Sequence, residues 1–389
     1  MPERHALLSP SRAHRWLECT PSVRLEEMFP DKTSEYAEEG TVAHKVAEIA
    51  ALSATEQISE HGYNDLLSML KKNKWYTPDM LEDCTAYAEL IRDKWLALKE
   101  KTGDATVMIE AEIGFEKWVP EGFGTADCLI LADGFMEVID FKYGKGKRVD
   151  AFENPQMRIY TLGAYETYGL VYDVEHITMT IFQPRISNGV TSDEISIDEL
   201  LTWGETYVKP RAKLAFEGKG DFKPSAETCK FCKAKASCKA RAEENLKAFD
   251  EGPDVFLLSP EEAGKLLERA SDIEAWLKDL ENYVQSSLLS GAKVPGWKIV
   301  EGRSNRAFSD PDKVVETLLE RGIPEACIYK PRELITLTQM EKDFGKKAVA
   351  EMLGGLIVKP AGAPKLAPES DKRPEYTPTD EIIKKFEEE

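Results

Sequence analysis

GTADCLILADGFMEVIDFKYGKGK, residues 124–147, decides how this chain is read. Two apolar runs flank Asp133-Gly134, a dipeptide favoured in two-residue hairpins because a type I′ turn needs positive φ at both central positions. With that turn, Ala132 faces Phe135, and counting outward sets Asp127 opposite Asp140 and Thr125 opposite Lys142. Side chains alternate along a strand, so Asp127, Asp140 and Lys142 share a face with Leu129, Leu131, Met136 and Val138. Like charges opposed across strands repel. A divalent cation between them removes the conflict, and carboxylate oxygens suit Mg2+ or Mn2+. Lys142, two residues on, can orient a water or stabilise charge on a phosphate, a layout that serves metal-assisted phosphodiester hydrolysis.

Outward from the hairpin, TVMIEAEIGF (106–115), FGTADCLILA (123–132) and FMEVIDFKY (135–143) read as three strands. Asn154 as N-cap and Pro155 at the first helical position open a helix over 154–168. VEHITMTIFQP (174–184) reads as a further strand. The order β-β-β-α-β over 106–184 is the centre of a mixed α/β core. Residues 1–100 read as mainly helical, with amphipathic patterns at 36–54 and 79–101, and 195–250 as helical again. A long helix is expected over 259–291, with Ser259 and Glu262 as its capping signal and Gly291 at its end. A small strand is expected at 297–308 and two or more helices over 311–353. From Lys359 on, Pro, Ala, Lys and Glu dominate, the composition of a flexible tail. The expected organisation is a core domain over 1–250, a mainly helical accessory region over 251–358 and a tail over 359–389.

The formal net charge of −19 argues against a general DNA-coating protein, since neutralising phosphate takes Lys and Arg. It leaves room for a local basic groove, and the run Lys142, Lys145, Lys147, Arg148 reads as phosphate-facing. YGKGKRVD (143–150) lacks the Walker P-loop spacing, and no such motif occurs elsewhere, so no ATP-driven helicase is encoded. No stretch of about 18 apolar residues is present, which excludes a membrane-spanning helix. The first residues carry no apolar signal core, so a cytoplasmic protein is expected.

Cys229, Cys232 and Cys238 form C-x2-C-x5-C, and clustered thiols in such a chain read as metal or redox ligands. A tetrahedral site needs a fourth ligand, for which Cys19 is the best candidate. Zinc and iron–sulfur clusters both accept four thiolates, and spacing alone does not separate them. Lys230, Lys233, Lys235, Lys239 and Arg241 would offset the thiolate charge. Cys84, Cys128 and Cys327 sit in apolar contexts and read as small buried hydrophobes. Taken alone, His44 reads as an ordinary helical histidine and Tyr160 as core packing. Gln156 and Tyr160 stand four apart and share a helix face. Glu110 and Glu112 compete as a further carboxylate, and neither is assigned.

Gly124-Thr125-Ala126-Asp127, Asp140-Phe141-Lys142 and Gln156-Met157-Arg158-Ile159-Tyr160 resemble the motifs of RecB-like nucleases, which belong to the PD-(D/E)XK superfamily. Over roughly residues 1–245 the resemblance implies an α/β restriction-endonuclease-like core. It implies that Asp127, Asp140, the Phe141 carbonyl and His44 bind the metal. Lys142 would be catalytic, and Gln156 and Tyr160 would flank the site to position DNA or the lysine. The cysteine pattern resembles the iron-staple nuclease domains of AddB-type proteins and the CRISPR-associated adaptation exonucleases. It implies a [4Fe–4S] cluster on Cys19, Cys229, Cys232 and Cys238, with zinc as the alternative. The implied activity is that of a metal-dependent DNA exonuclease acting on single-stranded or duplex ends, as in phage or prophage recombination or repair. The implied partners are DNA and a recombination or strand-annealing protein, without a membrane. Two rival readings are a catalytically weak nuclease-fold protein that binds DNA or a partner, and a zinc-stabilised interaction protein.

Overall fold

The computed structural model describes residues 6–30, 35–146, 148–250, 260–300, 310–322, 324, 328–329, 334–353 and 356–357. The chain divides into two compact units, Met1–Pro295 and Gly296–Glu389.

The first unit is mixed α/β. Its strands β1 (Thr106–Gly114), β2 (Phe123–Ala132), β3 (Phe135–Phe141), β4 (His176–Phe182) and β5 (Val190–Ile195) lie side by side in chain order. β1, β2 and β3 form an antiparallel meander, β3 and β4 run parallel, and β4 and β5 are antiparallel. The parallel step requires a crossover. Helix α6 (Pro155–Tyr168) lies within it, capped by Asn154 Oδ1, which accepts from the amides of Gln156 and Met157 at 3.0 and 3.3 Å. β5, VTSDEI, was not expected as a strand. It is a polar edge with only Ile195 buried, so it lacks the apolar alternation of a core strand.

The hairpin register is as expected, from Ala132↔Phe135 out to Cys128↔Ile139. Its turn is not. Gly134 has φ +77° while Asp133 has no positive φ, so a type I′ turn is not formed. Tertiary bonds hold the tip instead. The Gly134 amide donates to Tyr172 O (2.8 Å), and its carbonyl accepts from the amides of Glu175 and His176, each at 2.9 Å.

Each sheet face carries its own core. On one, Leu129, Leu131, Met136 and Val138 pack with Ile159 and Leu162 of α6 and with Trp16. On the other, Cys128, Ile130, Ile139 and Phe141 meet helices α3 (Glu35–Ala54) and α5 (Pro78–Thr102). Ala43, Ala47, Ala50 and Ala51 leave α3 thin enough to lie close to α5 and the sheet. Each fully buried aliphatic or aromatic side chain here contributes about 1.5–3 kcal/mol.

β1 and β2 exchange faces midway. Val107 and Ile109 belong to the α3–α5 side, yet Ala111 and Ile113 belong to the α6 side; on β2, Cys128 and Ala126 divide in the same way. The position passed over in the register, between Ile109↔Cys128 and Ala111↔Ala126, is Glu110 with Asp127. Glu110 has φ +52°, in the left-handed region.

Helices α1 (Ala13–Glu18), α2 (Ser22–Glu26) and α4 (Glu60–Leu70) complete the N-terminal part. After the sheet come α7 (Ile197–Trp203), a π-helical turn at Gly204–Val208, α8 (Lys209–Glu217), α9 (Ala226–Cys229) and α10 (Lys239–Asp250). The long helix α11 (Pro260–Leu289) follows, with Gly291 at φ +89° just beyond it. Ser259, its expected cap, lies outside the described residues. In the second unit, α12 (Pro311–Glu320), α13 (Leu337–Phe344) and α14 (Lys346–Leu353) fill the region expected to be helical. The strand expected at 297–308 is not formed over 297–300, and its remainder lies outside the described residues, as does the tail from 359. Among the described residues no helix is long and apolar enough to cross a membrane.

Candidate functional site

Asp127 and Asp140 stand one position beyond the last pair of the β2–β3 ladder. At that position the Asp127 carboxylate replaces a ladder carbonyl, with Oδ2 accepting the Phe141 amide at 2.7 Å. Its other oxygen lies 3.4 Å from His44 Nδ1 on α3. The His44 ring stands edge-on to Phe141, 5.4 Å between centroids. Asp140 and Lys142 turn toward α6, as strand alternation requires. Gln156 Nε2 donates to Asp140 Oδ1 at 2.8 Å, and Lys142 Nζ donates to Gln156 Oε1 at 3.0 Å and to Asp140 Oδ1 at 3.2 Å. Lys142 Nζ also lies 2.8 Å from Asp140 Oδ2, at an angle that leaves this buried oxygen without a hydrogen bond. The three residues expected on one face therefore meet at the sheet end. Asp127 sits where the faces exchange and reaches the α3 side, while Asp140 and Lys142 reach the α6 side.

The charges support one another. Burial lowers the His44 pKa, but the charge and hydrogen-bonding of Asp127 together with the charge of Asp140 outweigh it, and the imidazole titrates above its ordinary value. Burial raises Asp127, and His44, Lys142 and the Phe141 amide together more than offset this, so its carboxyl is held low. Burial dominates at Asp140, which is pushed up despite Lys142. Lys142 loses affinity for its proton by burial and regains more from Asp140 and Asp127.

Tyr160 is buried, and burial pushes its hydroxyl up. It makes a wall of the site, since a Cβ on Gly124 would come 3.0 Å from its ring. That contact gives Gly124, ahead of Asp127, a physical reason to lack a side chain. Of the basic run, Lys142 points inward, Lys145 is exposed and Arg148 lies 3.6 Å from Asp150; Lys147 is outside the described residues.

The structure adds Glu110. One ligand atom each from His44, Glu110 and Asp127 lies within 4.8 Å of the others. Burial first, then Asp127, pushes the Glu110 carboxyl up to about 7. Glu112 is exposed, opposite Thr125. Nothing in the sequence separates these glutamates, because Val107, Ile109, Ala111 and Ile113 read as one uninterrupted alternation across the exchange of faces.

A second cluster lies at the N-terminal helices. Cys19, at the end of α1, lines a cavity of about 20 Å³ together with Cys229, Cys232 and Cys238. Burial pushes up Cys19 and Cys229, and Cys232 to about 12. Among the described residues, His44, Glu110 and Asp127 form the single group of three or more metal-type ligands within 4.8 Å, so no three of these sulfurs are that close. Several bonds bring the segments together. Arg15 pairs with Glu26 at 2.7 Å, and the other oxygen of Glu26 accepts the Lys233 amide, also at 2.7 Å. Thr20 Oγ1 donates to Lys219 O (2.6 Å) and Arg211 to Leu17 O (2.6 Å). Arg241, near Cys229, is held by Asp279 and Asp272 of α11. Cys84 and Cys128 are fully buried, in line with their apolar contexts, and Cys327 lies outside the described residues.

A five-stranded mixed sheet flanked by helices, with a buried polar network at one end and four cysteines around one cavity, defines the class of this chain. Over residues 5–374 it matches the model of a family described as a protein of unknown function (DUF2800), and it belongs to that family. It is also similar, at 16% identity, to the crystal structure of SSO0001, covering 57% of this chain and 95% of that one; the TM-score is 0.23.

Proposed function

We propose that this chain is a metal-dependent DNA nuclease of the PD-(D/E)XK, RecB-like kind, acting as an exonuclease at DNA ends. The observation that carries the reading is the closed network of Asp140, Lys142 and Gln156 beside Asp127 and His44. Asp127, Asp140, the Phe141 carbonyl and His44 would hold Mg2+ or Mn2+. The donors fit such an ion: two carboxylates at the end of the β2–β3 ladder, an imidazole, and an Asp140 oxygen with no hydrogen bond. When bound, the ion polarises a phosphoryl oxygen and lowers the pKa of water. Lys142 sets a positive charge beside the scissile phosphate, Gln156 fixes that lysine, and Tyr160 walls the cleft.

Cys19, Cys229, Cys232 and Cys238 would hold a [4Fe–4S] cluster that ties together two distant segments of the domain. The four thiols around one cavity suit either a cluster or a zinc ion, and the resemblance of the cysteine pattern favours the cluster. The substrate is DNA with single-stranded or duplex ends. The setting is recombination or repair in a phage or prophage, in the cytoplasm, alongside a recombination or strand-annealing protein.

The test is digestion of end-labelled single-stranded, blunt and overhanging DNAs with Mg2+ or Mn2+. Lys142→Ala should cut about 10²–10⁴-fold more slowly while still binding DNA. If the wild-type chain cuts none of these ends, the nuclease-fold binding reading replaces this one. Anaerobic material that is brown supports the cluster; colourless, zinc-loaded material removes it.

A further inference from the structure

We propose that the Ser22 hydroxyl donates a hydrogen bond to a sulfur of a [4Fe–4S] cluster held by Cys19, Cys229, Cys232 and Cys238, and so makes that cluster easier to reduce. This deepens the cluster reading and rests on it, although reduction is measured independently of cleavage.

Ser22 is the first residue of α2 and is 3% exposed. It lines the cavity that the four thiols share. Among the described residues its Oγ is buried and has no hydrogen-bond partner. The amide of the same residue is engaged, donating to Cys19 O at 3.0 Å. Neighbouring hydroxyls are engaged as well. Thr228, on the same cavity, donates to Lys223 O at 2.8 Å, and Thr20 donates to Lys219 O at 2.6 Å. Of these three hydroxyls, Ser22 is the one with a proton left to give. A buried hydroxyl without an acceptor is costly and uncommon, and what this one borders is the space between the sulfurs.

The backbone around that space is arranged for anionic sulfur. Amides of Lys223 and Ser22 face the Cys19 thiol, that of Ser225 faces Cys229, and that of Ala234 faces Cys232. Each favours the thiolate and works against burial. A hydrogen bond to a cluster sulfur strengthens as negative charge builds on the cluster, so a further donor favours the reduced state. A zinc ion on the same thiols would have no redox chemistry for the hydroxyl to tune.

The experiment is a dithionite titration of the full chain, purified anaerobically. The reduced cluster is followed by electron paramagnetic resonance, and iron is measured per chain. Ser22→Ala should keep its iron and shift the one-electron equilibrium about tenfold toward the oxidised form, which is about 59 mV. Ser22→Thr, which keeps the hydroxyl, should reduce like the wild type. So should Ser237→Ala, which changes an exposed serine beside Cys238. If the alanine variant loads little iron, Ser22→Val against Ser22→Thr carries the test, since the two are close in size and differ in the hydroxyl. An iron-loaded alanine or valine variant that reduces as readily as its hydroxyl-bearing counterpart overturns the proposal and leaves the cluster in place. A wild-type chain that is colourless and zinc-loaded removes the cluster reading, and this inference with it.

Discussion

The carboxylate network and the cysteine site are gathered over very different distances along the chain. Asp127 meets the Phe141 amide across 14 residues of a single hairpin, whereas Glu26 meets the Lys233 amide across 207. In the first case strand register does most of the positioning, and a one-residue slip would move every side chain at once. In the second, positioning is shared among separate tertiary bonds, each with a modest net value of about 0.5–1.5 kcal/mol, or about 1.5–3 where a charge is involved. The first site should therefore fail as a unit. The second should loosen by steps, unless the buried Arg15–Glu26 ion pair is broken.

That contrast is broken most sharply at Glu26. Its carboxylate serves Arg15 with one oxygen and the Lys233 amide with the other, and both side chains of the pair are nearly buried. Glu26→Ala strands a buried guanidinium and should destabilise the fold by about 3–5 kcal/mol, measured by urea denaturation. The β2–β3 register, read from cross-strand NMR contacts in the folded fraction, should survive. Gly220→Ala should cost less, about 1–3 kcal/mol. Gly220 has φ +97°, and a Cβ would come 2.3 Å from Thr20 Oγ1, pushing on the bond from Thr20 to Lys219. The smallest effect is expected on the carboxylate side. Asn154→Ala removes the cap of α6 and should cost about 1 kcal/mol. It should also loosen Gln156 and slow cleavage in the end-labelled assay, with the thermal shift of a Cys19→Ser variant unaltered by its addition.

The hairpin and its register were legible because two apolar runs flank Asp133-Gly134, which marks the reversal. α6 was legible from Asn154 and Pro155, the grouping of Cys229, Cys232 and Cys238 from their spacing, and Cys19 beside them from the need for a fourth ligand and the resemblance of the pattern. β5 was not legible, since an exposed edge strand needs no apolar side chains until Ile195. The turn was misread because Asp-Gly reports local preference, while Gly134 is held by Tyr172, Glu175 and His176 from another part of the chain. Glu110 could not be told from Glu112 for a related reason. Alternation records which residues are apolar, and a left-handed residue can send the next apolar pair to the opposite face without altering the pattern. The same exchange is why the expected common face holds for Asp140 and Lys142 but not for Asp127.

Gly134 also bears on the order of folding. The hairpin is clasped at its tip by residues 172–176 and at its open end by the Asp127 carboxylate, so its own turn contributes little to closing it. An isolated hairpin of this length is marginal in water. Here the clasp closes a loop of about 40 residues, an entropic cost that must be met before the register is secured. The β2–β3 pairing should then become protected against hydrogen exchange together with α6 and β4, as one cooperative unit, rather than ahead of them.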